Sequence, residues 1–131
     1  GYLFNTMSSM CDLLALKVNI CTRTRDAYKS GDRVELDKVI ADYKKMIKSA
    51  KRFYSAFRTQ WFIENKPHGF DVQDIRLGGL ICRIESCFER LCEYRDGKIT
   101  SIPELEEQIV PIAENIIYYN SWGNNVSANV L

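Results

Sequence analysis

Apolar side chains recur at alternating steps of three and four residues over most of the chain, which is the spacing of one face of an α-helix. This repeat predicts helices over residues 2–30, 33–64, 71–96 and 102–119, followed by an extended tail over residues 120–131. We expect the wide apolar face of the first helix to be buried in a bundle. That face contains Leu3, Met7, Met10, Leu14, Cys21 and Tyr28, with Phe4, Cys11 and Val18 beside them.

Residues between the periodic segments favour helix ends at the predicted boundaries. Asp32 with Glu35, and Ser101 with Glu104, have the spacing of a capping box, in which each side chain binds a free backbone N–H at a helix start. Pro111 removes one backbone hydrogen bond within the last helix, which predicts a kink there. The chain is therefore predicted to be all-α: an antiparallel three-helix bundle with a kinked fourth helix and an extended C-terminal tail.

Length and charge restrict the class of protein. A chain of 131 residues is predicted to form a single helical domain. Its 18 basic and 17 acidic residues give a net charge of +1, so we expect no nucleic-acid partner. It lacks an apolar run of about 18 residues, so we expect no membrane partner. The apolar repeat is already present at Leu3 and the first residue is not Met, from which we expect a fragment of a longer chain.

Residues that could support catalysis or metal binding are sparse. The five cysteines form no CxxC pair, and each lies in a helical pattern, which favours a reducing, cytoplasmic compartment. His68 is the single histidine, and no Cys or acidic residue stands at ligand spacing from it. The sequence has no glycine-rich phosphate loop and no GxSxG motif. We therefore predict no catalytic, cofactor-binding or metal-binding residues and no cofactor.

Residues 61–80, WFIENKPHGFDVQDIRLGGL, are the least helix-like internal stretch of the chain. Gly78 and Gly79 within a helix cost roughly 1 kcal/mol each relative to Ala, which indicates that a backbone approaches closely there. One interpretation is a capping network with a tight helix crossing. The other, which we favour, is a docking surface for another domain or a second copy. The candidate docking residues are Asn65, Lys66, His68, Asp71, Gln73, Asp74, Arg76, Gly78, Gly79 and, in the tail, Trp122.

Three segments together resemble a known family. ENKPHGFDVQDIRLGGL, GKITSIPELEEQI and WGNNVSANVL are similar to the C-terminal helical domain of bacterial family 20 glycoside hydrolases of the streptococcal-clostridial type. These enzymes are N-acetyl-β-D-glucosaminidases, also called β-hexosaminidases. The resemblance is clear over residues 50–131, whereas the first helix is similar to the family only in its general helical character.

The resemblance implies an accessory domain of an exo-acting enzyme. Such enzymes have a catalytic (β/α)8 barrel, in which an adjacent Asp-Glu pair acts on the substrate. No Asp is followed by Glu in this chain, so the pair is not carried over. The resemblance implies a domain that packs on the barrel of the same polypeptide, aids homodimerisation and is inactive alone.

A stand-alone helical adaptor or regulatory domain is the alternative. It would bind nucleic acid through a basic stripe on the second helix. The stripe contains Lys44, Lys45, Lys48, Lys51, Arg52 and Arg58.

Overall fold

The structure, a computed structural model, describes residues 1–107. These residues contain helices and no strands, which confirms the predicted all-α class. The predicted tail with Trp122, and the part of the fourth helix that contains Pro111, lie outside the described residues. The helices are α1 (Tyr2–Lys17), α2 (Ile20–Ser30), α3 (Arg33–Glu64), α4 (Phe70–Arg95) and α5 (Pro103–Glu106).

The longest helix, α3, is the element against which α1, α2 and α4 pack. It begins where Asp32 Oδ1 accepts hydrogen bonds from the backbone N–H groups of Val34 and Glu35, at 2.9 and 3.0 Å. These bonds satisfy donors that otherwise lack a partner in the first turn of a helix. The Glu35 side chain does not complete a reciprocal capping box, because it binds Arg23 and Lys38.

The core lies along α3 and is closed by the segment that contains α5. Tyr43 of α3 is fully buried, and burial raises the pKa of its hydroxyl. From α4, Ile84 and Leu91 enter the same core, and Ile102 and Leu105 cover its end with at most 1% exposure each. Burial of these aliphatic side chains is the main favourable contribution to folding.

The segment predicted as one helix over residues 2–30 consists of two helices. Helix α1 ends at Lys17 and α2 begins at Ile20, with Val18 and Asn19 between them. Asn19 has φ −122° and ψ 2°, outside the helical region, and it is the N-cap of α2. Because Leu13 and Ile20 on either side of this break are both buried, the bend keeps α1 and α2 packed on α3.

The predicted buried face of α1 is wrong. The buried residues of α1 are Thr6, Ser9 and Leu13, whereas Phe4 of the predicted face is 80% exposed. The Thr6 hydroxyl donates to the carbonyl oxygen of Ala56 on α3 at 3.3 Å. Small polar side chains therefore face α3, because they let the two backbones approach closely. The exposed apolar residues of α1 include Leu3, Phe4, Met7, Met10 and Leu14.

The start of the predicted fourth helix also differs from the expected cap. The N-cap residue of α5 is Ile102, and no side chain caps the helix, so Ser101 and Glu104 do not form a capping box. Pro103 occupies the first helical position, where its missing N–H has no consequence. Glu107 is extended, with φ −60° and ψ 136°, so α5 ends at Glu106, and the rest of the helix predicted over residues 102–119 lies outside the described residues.

Candidate interdomain surface

The turn between α3 and α4 is held by Trp61. Its indole Nε1 donates to the carbonyl oxygen of Lys66 at 3.1 Å. Gly69 has φ +96°, a left-handed conformation that favours glycine. A Cβ on Gly69 would lie 3.5 Å from the Trp61 ring, so the turn rests directly on the indole. This contact fixes the position of residues 65–69 relative to the end of α3.

Phe70, the first residue of α4, packs beneath this turn and is only 4% exposed. Its burial was not predicted, although Phe70 lies seven residues before Leu77 and continues the apolar repeat of α4 backwards. Aromatic pairs of this geometry add to the stabilisation that burial provides. The ring centroid of Phe70 lies 5.3 to 6.2 Å from those of Tyr54, Phe57, Trp61 and Phe62.

Two of the candidate docking residues, Asp71 and Asp74, form hydrogen bonds within the domain. Asp71 accepts a hydrogen bond from the backbone N–H of Gly69 at 3.1 Å. Asp74 accepts one from the Tyr54 hydroxyl at 2.6 Å, and this bond raises the pKa of that hydroxyl. The capping-network interpretation therefore accounts for both carboxylates, which organise the first turns of α4.

Other candidate residues project from the surface. Asn65, Lys66, His68 and Arg76 are exposed, and Gln73 is half-buried. None of these five side chains forms a hydrogen bond or ion pair with another of the residues from 1 to 107. They leave two cations, Lys66 and Arg76, and the other polar groups of the turn free to bind a partner.

The two glycines of α4 do not mark a tight helix crossing within the described domain. A Cβ on Gly78 or Gly79 would meet no atom within 4 Å, and neither residue has a positive φ. Ile75, which is 76% exposed, and the exposed Cys82 lie three or four residues away and share the same outer face. We call Ile75, Gly78, Gly79 and Cys82 the glycine face; it is small, apolar and uncharged.

The basic stripe of α3 is partly neutralised by acidic residues of neighbouring elements. Lys51 binds Glu85 of α4 at 2.6 Å, and Arg52 binds Asp12 of α1 at 2.8 Å. Lys45 binds Asp42 within α3 at 2.9 Å. Because half of the stripe is already paired, its field is weaker than the sequence indicates. Among residues 1–107, the cations of the stripe without an ion-pair partner are Lys44, Lys48 and Arg58, and Arg58 lies over the Phe62 ring.

The described residues show no arrangement typical of catalysis by metal ions or of membrane insertion. Over residues 1–107, no three His, Cys, Asp or Glu side chains lie close enough to hold a metal ion. His68 is exposed on the turn. Within the same range, no helix combines the length and the hydropathy needed to span a bilayer.

The fold and this surface define a small all-α domain with exposed apolar faces. The family model described as Glycoside Hydrolase 20C C-terminal domain matches residues 1–118. The chain belongs to this family, and the resemblance to the C-terminal domain of family 20 glycoside hydrolases is confirmed. A comparison with curated proteins gave no match.

Proposed function

We propose that this domain packs against the catalytic domain of an exo-acting β-N-acetylglucosaminidase in the same polypeptide, using the turn at residues 65–69 and the glycine face. The family supports a catalytic partner, because its members are the C-terminal domains of glycoside hydrolases. We further propose that the domain aids homodimerisation and is inactive alone. No disulfide joins any of the five cysteines, all of which lie within residues 1–107, and this supports a reducing, cytoplasmic location.

The observation that carries the proposal is the open space over Gly78 and Gly79. Glycine destabilises a helix by roughly 1 kcal/mol relative to Ala, and nothing in residues 1–107 approaches either position to offset that cost. A neighbouring domain that packs closely on α4 would offset it. Arg76 lies beside this face without an ion-pair partner among the described residues, so it can bind an acidic group across the same interface.

A test compares Gly79→Leu with Ala41→Leu in the intact polypeptide. Both positions are exposed on helices, but Ala41 lies on α3 outside the proposed surface. We expect Gly79→Leu to weaken the association of the domains and reduce turnover of an aryl N-acetyl-β-glucosaminide, whereas Ala41→Leu leaves both unchanged. Differential scanning calorimetry measures whether the two domains unfold together.

A second pair of variants tests whether the positive charge of Arg76 contributes to the contact between the domains. Arg76→Ala, which removes one partner of a buried interdomain charge pair, is expected to cost about 2–5 kcal/mol of association. Lys48→Ala removes an exposed cation elsewhere and is the control. In the isolated 131-residue chain, Arg76→Ala should change the free energy of unfolding by less than about 1 kcal/mol. If Arg76→Ala unfolds the isolated chain and leaves the intact enzyme fully active, residues 65–76 are an internal capping network and the proposal is wrong.

A further inference from the structure

The outer face of α1 is apolar although it is exposed. Over 16 residues, α1 carries only two charged side chains, Asp12 and Lys17, and Asp12 is paired with Arg52 of α3. Two of its three buried residues, Thr6 and Ser9, are polar, and the third is Leu13. A surface helix normally has the opposite arrangement, with charged residues outward and apolar residues inward. We define the α1 stripe as the exposed residues Leu3, Phe4, Met7, Met10, Cys11 and Leu14 of α1, together with Val18 directly after the helix.

Exposed apolar side chains are concentrated on this helix and at one end of the bundle. Of the twelve large apolar side chains that are exposed in residues 1–107, six belong to α1, a seventh is Val18 directly after it, and four lie around the α3–α4 turn. Only Val34, at the start of α3, lies elsewhere. Tyr2 lies beside Glu64 at the end of α3, so the start of α1 is at the same end of the bundle as that turn. A concentration of exposed apolar side chains on one helix indicates an interaction site.

The family indicates which partner covers the stripe. A C-terminal domain follows the rest of its enzyme in the chain, and α1 is the first of the described helices. In such an enzyme the preceding domain would join this chain on the side of Leu3 and Phe4. A short tether gives an effective concentration on the order of millimolar, so an apolar contact within one chain forms more readily than the same contact between two dilute copies.

We propose that the α1 stripe is buried against an apolar surface of the domain that precedes α1 in the same polypeptide. This inference rests on the proposed function and adds a second, larger contact to it. The stripe extends from Leu3 to Val18, which at 1.5 Å per residue is about 22 Å along the helix. A contact of this length along α1 would orient the whole bundle relative to its partner. The glycine face is a separate contact, because it lies on α4.

Two native thiols report separately on the two surfaces. Cys11 lies within the α1 stripe, and Cys82 lies on the glycine face; both are exposed in the described domain. Val34→Cys provides a control thiol outside both surfaces, at a position that is 66% exposed. The intact polypeptide with this substitution is treated with N-ethylmaleimide under native conditions, and the alkylation rate of each thiol is measured by mass spectrometry. We expect Cys11 to react at least about tenfold more slowly than the control thiol, because the covered state must open first.

The covering partner is identified by photo-crosslinking from position 7. The photoreactive residue p-benzoylphenylalanine replaces Met7 in the stripe, or Val34 as the control, in the intact polypeptide. The inference expects a crosslink from position 7 to a peptide that precedes Gly1, within one chain, and none from position 34. Denaturing electrophoresis separates crosslinks within a chain from those that join two chains.

Several results would overturn the inference. Alkylation of Cys11 as fast as the control shows an open stripe, and a crosslink to a second chain or to residues 108–131 shows a different partner. If Cys82 is protected from alkylation and Cys11 is not, this inference is contradicted, whereas the proposed function is still supported. Protection of Cys11 with free reaction of Cys82 supports the α1 contact and contradicts docking through the glycine face. Free reaction of both thiols contradicts both.

Discussion

Replacement of Phe70 by Ala removes the side chain on which the α3–α4 turn rests. Phe70 is 4% exposed and has four aromatic neighbours, so its removal leaves a cavity that the helix ends cannot easily close. Phe→Ala at a buried site typically costs about 3–5 kcal/mol. We expect a loss in this range from the free energy of unfolding of the 131-residue chain.

Phe62→Ala is the matched control. The Phe62 ring lies 5.3 Å from that of Phe70 but is 44% exposed. Burying about half of a Phe side chain stabilises by roughly 1–1.5 kcal/mol, and truncation at the surface leaves no closed cavity. Phe70→Leu, which keeps most of the apolar volume, should cost less than about 1.5 kcal/mol.

Urea unfolding, followed by circular dichroism at the helical band, measures these losses. We assume that the free energy of unfolding falls by about 2 kcal/mol per M urea. Phe70→Ala should then lower the urea concentration at the unfolding midpoint by about 1.5–2.5 M, and Phe62→Ala by about 0.5–0.8 M. The reasoning is refuted if Phe70→Ala lowers the midpoint no more than Phe62→Ala does. A loss for Phe70→Leu as large as that for Phe70→Ala would show that ring contacts, and not buried volume, dominate.

Three further predictions concern the core, the ion pairs and the proposed inactivity of the isolated chain. Ile84→Ala, at a position with no exposure, should lower the free energy of unfolding by about 2–5 kcal/mol in a denaturant titration. Hydrogen bonds from Arg23 and Lys38 lower the pKa of Glu35 below its ordinary value of 4.5, and hydrogen bonds from Lys45 and Arg23 lower the pKa of Asp42 below its ordinary value of 3.8. These ion pairs therefore stabilise the fold above those pH values, and the stabilisation is lost as the pH falls through the lowered pKa values. Arg23→Gln should therefore lower the thermal midpoint at pH 7 and have a smaller effect at pH 3. The purified 131-residue chain should not hydrolyse an aryl N-acetyl-β-glucosaminide, and turnover that persists through purification would contradict that expectation.

The α3–α4 turn shows how much of the structure local sequence patterns can predict. The Pro and Gly residues of positions 61–80 predicted an interruption between two helices, and the structure has one between Glu64 and Phe70. The sequence could not predict that Asp71 and Asp74 form hydrogen bonds within the domain, whereas Arg76 forms none with the other residues of the 1–107 range. The difference depends on Tyr54 and Gly69, which approach these carboxylates only after α3 and α4 have packed.

Periodicity by itself determined that the chain is all-α, because apolar residues at steps of three and four indicate a helical face in any context. It also indicated which faces of α3 and α4 form the core, since these helices place their apolar rows toward each other. The residues of this core include Tyr43, Ile84 and Leu91.

Only the tertiary structure decided which face of α1 is buried. The sequence has an apolar row on α1, but an apolar row does not specify whether its own domain or another domain covers it. In the structure, Thr6 and Ser9 face α3 because small side chains allow close packing and the Thr6 hydroxyl reaches the carbonyl of Ala56. The apolar row is therefore left outward, and its exposure depends on how two helices meet and not on the composition of either one.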